Sequence, residues 1–230
     1  MKNKILKCFF TTLIVLILIA SCAPYKVDDQ TLMLFARAHK TYSKGMLKET
    51  VELLLPKNTK AKVQKFIPVL IMRGKAEYFL GNISDAEKTF RKAQKLNSAQ
   101  VEAQLYLARI FREKGKFSEA KKIVDKLLEN DQNNIEALRL AAEFVKSDDG
   151  SNNVKSFAYL DRAAAISKDN AFVFLDRARE YWIQGKSTEA LNDINIAKIL
   201  VSEKDGMYKT LRNLEKTILE QKTLGGNDVQ

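Results

Sequence analysis

Gly74-Lys-Ala-Glu-Tyr78-Phe79-Leu80-Gly81-Asn-Ile83-Ser-Asp-Ala86-Glu-Lys-Thr-Phe90-Arg-Lys-Ala93 decides the fold. Gly81 supplies the left-handed residue that ends a helix, and the chain then restarts with Ser84 and Asp85, an N-terminal serine followed by early acids. Ala86, Phe90 and Ala93 follow at i, i+4 and i+7, the spacing of one buried helical stripe. Small Gly74 stands where two helix backbones approach. The stretch reads as helix, tight turn, helix.

Working outward, the same plan recurs. Gly45, Gly81, Gly115 and Gly185 are separated by 36, 34 and 70 residues, so one unit between the last two lacks an aligned glycine. Ala108, Phe111, Gly115, Phe117, Ala120, Val124 and Leu127 repeat the pattern, as do Phe174, Ala178, Tyr181, Gly185, Ala190, Ile194 and Ala197. Ser118 with Glu119, and Ser187 or Thr188 with Glu189, restart the later helices. Apolar residues make up 46% of the chain and there are only three prolines, which favours helix over strand.

A period near thirty-four residues with these small and aromatic positions resembles the tetratricopeptide repeat (TPR). The resemblance covers roughly residues 31–222 and implies an all-α TPR helix-turn-helix solenoid of about four to five repeats with a C-terminal capping helix. Two units depart from the pattern. The unit from Ile135 to Asn170 keeps Leu138, Ala141, Ala142, Leu160 and Ala163, but residues 147–153 read as a longer loop. The first unit, Thr31 to about Lys60, keeps Leu34, Ala38, Tyr42, Gly45 and Leu54, carries Thr50 in place of alanine, and ends its second helix at Pro56; it reads as a degenerate capping repeat. A final helix from about Glu203 to Lys222 sets Met207, Leu211, Leu214, Ile218 and Leu219 on one stripe, suited to covering the last repeat. Residues 223–230 read as a flexible tail.

The N-terminus carries a second resemblance. Lys2, Lys4 and Lys7 precede an apolar run from Phe9 to Ala20, and Ala20-Ser21-Cys22 closes it. This resembles the lipobox of bacterial lipoproteins, in which residues 1–21 are removed as a signal peptide and Cys22 receives a diacylglycerol and an N-acyl chain. Residues 22–30 then form a lipidated N-terminus and spacer. The other cysteine, Cys8, lies in the discarded segment, so no disulfide framework or cysteine chemistry remains. Loss of the signal lysines leaves 36 basic residues against 28 acidic ones, +8 in place of +11.

In TPR arrays the first helix of each repeat lines a concave groove. Stacking the units gives a column of His39, Lys75, Arg109, Glu143 and Arg179 and a second of Tyr42, Tyr78, Arg112, Lys146 and Trp182. Arginine forks and rigid aromatic faces suit an extended peptide or a carboxylate-bearing segment. The pattern is similar to carboxylate-clamp TPRs, although Ile71 and Leu105 stand where those carry lysine. The alternative for Tyr78 and Trp182 is packing against a neighbouring repeat. The expected partner-binding groove is therefore His39, Tyr42, Lys75, Tyr78, Arg109, Arg112, Lys146, Arg179 and Trp182.

Chemistry built on paired histidines has no basis, since His39 is the only histidine. Gly185-Lys186-Ser187 mimics the end of a phosphate loop, but Glu180 stands where its first glycine belongs. Asp148 and Asp149 match no calcium loop. No catalysis, metal, further cofactor or nucleic-acid partner is expected. The reading is a lipid-anchored scaffold of the bacterial envelope, at the outer membrane facing the periplasm, that binds a protein or peptide in its groove. Two alternatives stand beside it: an accessory lipoprotein of a TRAP-type solute transporter, bound to a solute-binding protein, and a self-associating structural lipoprotein.

Overall fold

The computed structural model describes residues 27–149 and 153–225. All regular structure in them is helical. In chain order the helices are α1 (Asp29–Ser43), α2 (Leu47–Leu54), α3 (Ile67–Phe79), α4 (Ile83–Leu96), α5 (Val101–Glu113), α6 (Phe117–Asn130), α7 (Ile135–Asp149), α8 (Asn153–Ile166), α9 (Ala171–Ile183), α10 (Ser187–Ile199) and α11 (Gly206–Gly225). Two short 3-10 turns, Pro56–Asn58 and Val63–Lys65, connect α2 to α3. This is the architecture of a TPR helix-turn-helix solenoid followed by one extra helix. Two compact units divide the chain, one ending at Leu80 and the other beginning at Gly81.

The turns form for the reason the glycine spacing implies. Gly45, Gly81, Gly115 and Gly185 all have φ between 70° and 78°. At Gly115 the amide donates to the Arg112 carbonyl at 2.9 Å and that of Lys116 to the Phe111 carbonyl at 2.8 Å. Two orphan carbonyls of α5 are thereby satisfied within one turn. A Cβ on Gly115 would meet nothing within 4 Å, so the requirement is conformational rather than steric.

Each second helix buries one stripe. Ala86, Phe90 and Ala93 of α4 are fully buried, as are Ala190, Ile194 and Ala197 of α10, while Ala120, Val124 and Leu127 of α6 are at most 3% exposed. In the second unit the Phe90 ring stacks on Tyr106 of α5, centroids 4.9 Å apart and planes 11° apart. The last core cluster gathers Phe174, Ala178, Ala190, Ile194 and Ala197 with Leu211 and Ile218 of α11, which covers the final helix pair. Leu219, expected on that covering stripe, is 47% exposed.

Several boundaries differ from the sequence reading. α10 begins at Ser187 as expected, but two restarted helices begin earlier than their serines imply. α4 starts at Ile83 and α6 at Phe117, with Asn82 and Lys116 at the cap positions and no side-chain cap bond. Ser84 and Ser118 therefore lie inside the first turn. α7 continues through Ser147 to Asp149 and α8 starts at Asn153, so those positions extend the helices instead of forming a long loop. At the start, Asp28 caps α1, accepting from the Thr31 amide at 3.1 Å and its hydroxyl at 3.0 Å; Asp29 and Gln30 are helical rather than spacer. At the end, α11 extends past Lys222 to Gly225.

The first unit has a more polar interior than the repeat pattern implies. Thr50 is fully buried, with its hydroxyl 2.8 Å from that of buried Thr41. Thr50 Oγ1 also lies 3.0 Å from the Met46 carbonyl and Thr41 Oγ1 2.9 Å from the Ala38 carbonyl, so one hydroxyl donates to the other and the second donates to its own helix. A hydrogen-bonded threonine pair thus replaces the alanine contact between α1 and α2. Nearby, buried Arg73 donates to Gln64 Oε1 at 2.9 Å and lies 3.3 Å from Glu77. Gln64 in turn donates to the Leu54 carbonyl at 3.0 Å, so the turn region after α2 is pinned to α3 by satisfied polar groups.

Candidate functional site

The groove positions are carried by the first helix of each pair, and the two units are taken separately. In the first unit, α1 lies against α3. The Lys75 ammonium of α3 sits over the Tyr42 ring of α1, 5.8 Å from its centroid. Tyr42, Lys75 and Tyr78 are half-buried and His39 is exposed, its ring 6.4 Å from Phe35. Cation and aromatic face are brought together here as their spacing implies.

In the second unit the first helices α5, α7 and α9 are linked by charge. Arg109 Nη2 of α5 donates to Glu136 Oε2 of α7 at 2.6 Å, and the other Glu136 oxygen accepts from Arg139 Nη1 at 2.8 Å. Arg139 Nε reaches across to Asp176 Oδ2 of α9 at 2.7 Å, and Arg179 Nη1 lies 3.5 Å from Asp176 Oδ1. The five groups make one ladder of alternating sign. Arg112 is paired with Glu143 beside it. Burial opposes the charge of Arg139, but Asp176 and Glu136 outweigh that and hold its pKa above the ordinary arginine value.

The expected site residues therefore fare differently. Arg109 and Arg112 are both engaged by carboxylates of α7. Arg179 is 47% exposed along its side chain and touches only the edge of Asp176 among the ladder groups. Trp182 donates its indole N–H to Gln221 Oε1 of α11 at 2.9 Å and packs on the last core cluster, so its main contact is with the covering helix. Lys146 lies on α7, its side chain outside the described residues. Cys22 also lies outside them.

Glu136, Arg139 and Asp176 were not picked out by column stacking. Their signal is present as Glu136-x-x-Arg139 and Asp176-x-x-Arg179, opposite charges at i and i+3 on successive first helices. Behind the ladder, a cavity of about 120 Å³ is lined by Arg139, Glu143, Ser156, Leu160 and Glu180, with Ser156 and Glu180 fully buried. A further pair joins α9 to α10: Arg177 donates to both oxygens of Asp193, at 2.7 and 2.9 Å, and to Asp161 of α8 at 3.0 Å. The Asp193 hydrogen bonds lead in raising the Arg177 pKa above its usual value.

Among the described residues no cluster of three His, Cys, Asp or Glu side chains is placed to hold a metal, and no helix is long and apolar enough to cross a membrane. What the second unit presents is an ordered face of alternating charge on α5, α7 and α9. Such a face can match a polypeptide of mixed charge more readily than a purely acidic one.

Residues 80–144 match the tetratricopeptide repeat family model. No curated protein matches the sequence. Among solved structures, a tetratricopeptide repeat protein from Parabacteroides merdae is similar over 82% of this chain and 71% of its own, at 18% identity and a TM-score of 0.70. A thermophilic TPR protein of Thermus thermophilus matches over 82% of this chain and 98% of its own, at 15% identity and a TM-score of 0.67. A chain of the APC/C hetero-tetramer Cut9–Hcn1 matches over 88% of this chain but 38% of its own, at 14% identity and a TM-score of 0.71. At these identities the structural likeness speaks for fold alone. Repeat match and neighbours agree that the chain has the fold of a tetratricopeptide-repeat protein.

Proposed function

We propose that this protein is a lipid-anchored scaffold of the bacterial envelope, tethered through acylated Cys22, that docks a protein or peptide segment on the first-helix face of its repeats. The TPR fold supports the coarse part of this, since repeat scaffolds of this kind bind proteins, and one neighbour of the fold comes from a hetero-tetramer. The observation that carries the reading is the ladder from Arg109 to Arg179. With the neighbouring Arg112–Glu143 pair, it engages two of the three column arginines of the second unit, Arg109 and Arg112, and leaves Arg179 as the open cationic end. The partner is therefore a segment of mixed charge whose carboxylate meets Arg179, not a polyanion laid along the whole groove. The lipobox-like ending at Cys22 supports lipid attachment, and Ala23 after it, in place of the aspartate associated with inner-membrane retention in enteric lipoproteins, supports the outer membrane with the repeats in the periplasm.

In-cell crosslinking and affinity purification test this, with Cys22→Ala and Arg179→Glu run beside the parent. One stoichiometric envelope protein is expected, reduced at least tenfold by Arg179→Glu with the thermal midpoint unchanged, and depleted when Cys22 is removed. If that protein is a solute-binding protein, the transport-accessory role takes the place of the assembly role. Recovery of the chain alone overturns the scaffold reading in favour of self-association.

A further inference from the structure

The charge of this protein is unevenly placed. Residues 27–80 hold ten basic side chains against five acidic, whereas residues 81–230 hold 25 against 23. The excess thus sits in the unit that follows Cys22 most closely. Within that unit it gathers on the connection between α2 and α3, which places Lys57, Lys60, Lys62 and Lys65 in nine residues. Lys57, Lys60 and Lys65 are exposed.

Two contacts fix that connection beside the start of α1. Lys60 Nζ donates to Gln30 Oε1 at 2.9 Å, and Lys62 Nζ lies 2.9 Å from Asp28 Oδ2. The first turn of α1 adds Leu32 and Met33, 46% and 72% exposed. Cys22 is six residues before Asp28, so a lipid on it lies within about 22 Å of this surface even with the chain fully extended. Apolar side chains flanked by lysines, on a short tether from an acyl anchor, have the composition of a membrane-interface footprint.

We propose that the lysine-rich connection and the first turn of α1 rest on an anionic phospholipid surface, lysines at the headgroups and Leu32 and Met33 at the acyl boundary. The proposal deepens the lipid-anchor reading and rests on it for its geometry. The acyl chains on Cys22 hold the protein to the bilayer, and the polybasic patch adds an electrostatic attraction to anionic headgroups beside them. The same contact gives the first unit one orientation on the membrane.

The test uses the full-length protein purified from membranes, on vesicles of phosphatidylcholine alone or of equimolar phosphatidylglycerol and phosphatidylcholine. Acetylation rates of Lys57, Lys60 and Lys65 are compared with those of exposed Lys95, Lys122 and Lys126 of the second unit. Several-fold protection of the first set on the anionic vesicles only, relieved by high salt, is expected. Each lysine near such a surface is worth about fivefold in partition. Measured on the chain from Ala23 onward, which carries no acyl group, Lys57→Glu with Lys60→Glu and Lys65→Glu should therefore lower affinity for anionic vesicles more than a hundredfold, while the matched triple at Lys95, Lys122 and Lys126 should not.

Mass spectrometry of the Cys22 peptide separates the two readings. Acylated Cys22 with equal labelling on both vesicles overturns the footprint and leaves the anchor standing. Unmodified Cys22 overturns the anchor; the footprint then stands only if anionic vesicles still co-sediment the parent protein and not the first triple variant. Equal loss of binding in the two triples reduces the effect to net charge and overturns the footprint.

Discussion

Arg109 of α5 and Glu136 of α7 are joined by a hydrogen-bonded ion pair of 2.6 Å, so the central arginine of the basic column is held by the next repeat. Its side chain is 22% exposed and that of Glu136 37%, half-buried enough for the pair to act between repeats. The face formed there is ordered before any partner arrives. A ligand carboxylate would have to displace Glu136 to use Arg109.

That pairing predicts coupling. Arg109→Ala and Glu136→Ala, alone and together, should give a double-mutant coupling of about 0.5–1 kcal/mol in urea unfolding, the size expected of a partly screened pair between contacting residues. Additive losses would mean the two side chains do not hold α5 to α7.

Arg177 and Asp193 form a more protected pair, with Asp193 only 4% exposed along its side chain. Asp193→Ala leaves a half-buried guanidinium with Asp161 as its remaining carboxylate and should cost about 3 kcal/mol, at the low end for breaking a buried pair. Arg177→Met with Asp193→Leu should recover most of that loss, read as the denaturation midpoint. A double variant no more stable than Asp193→Ala would contradict the assignment.

Gly115→Ala tests the turn. The φ of 70° is unfavourable for alanine, while the open space around the position adds no clash. A loss of about 1–2 kcal/mol is expected by chemical denaturation, with helical content retained. Gly115→Asn should lose less, since asparagine tolerates the left-handed region.

Asp28 links stability to acid. Its hydrogen bond to Lys62, aided by the Thr31 amide and hydroxyl, lowers its pKa from 3.8 to about 2. A carboxylate held below its unfolded value contributes stability that is present above about 3.8 and lost as the pH falls toward 2. Asp28→Asn keeps a capping oxygen but no charge. Its thermal midpoint should fall below that of the parent at pH 6, and the gap should narrow at pH 2. A gap independent of pH would show that the charge of Asp28 contributes nothing.

How much of this was legible from the residues depended on whether the signal was local. Ala86, Phe90 and Ala93 revealed a buried stripe because helical period is a property of one segment. The glycines revealed the turns because positive φ is a property of one residue. Helix starts were less legible: Ser84 and Ser118 look like caps, yet Asn82 and Lys116 hold those positions, because the preceding turn leaves no residue spare between glycine and helix. Thr50 read as a defect, and only the approach of Thr41 from α1 turns it into a satisfied pair.

The site was legible in position and not in charge state. Stacked columns placed Arg109, Arg112 and Arg179 on the first helices, but Glu136, Arg139 and Asp176 come from neighbouring turns and reach the arginines only when α5, α7 and α9 lie side by side. Trp182 likewise found Gln221 thirty-nine residues later on the covering helix.

By itself the sequence determined the helical class, the repeat period, the turn positions and the placing of net charge in the first 80 residues, since each follows from local conformation or from counting. Only the tertiary structure decided which charges cancel. Whether an arginine stands open or paired depends on carboxylates brought within about 3 Å from other helices, and Coulomb energy at that range depends on distance, which no spacing along the chain encodes.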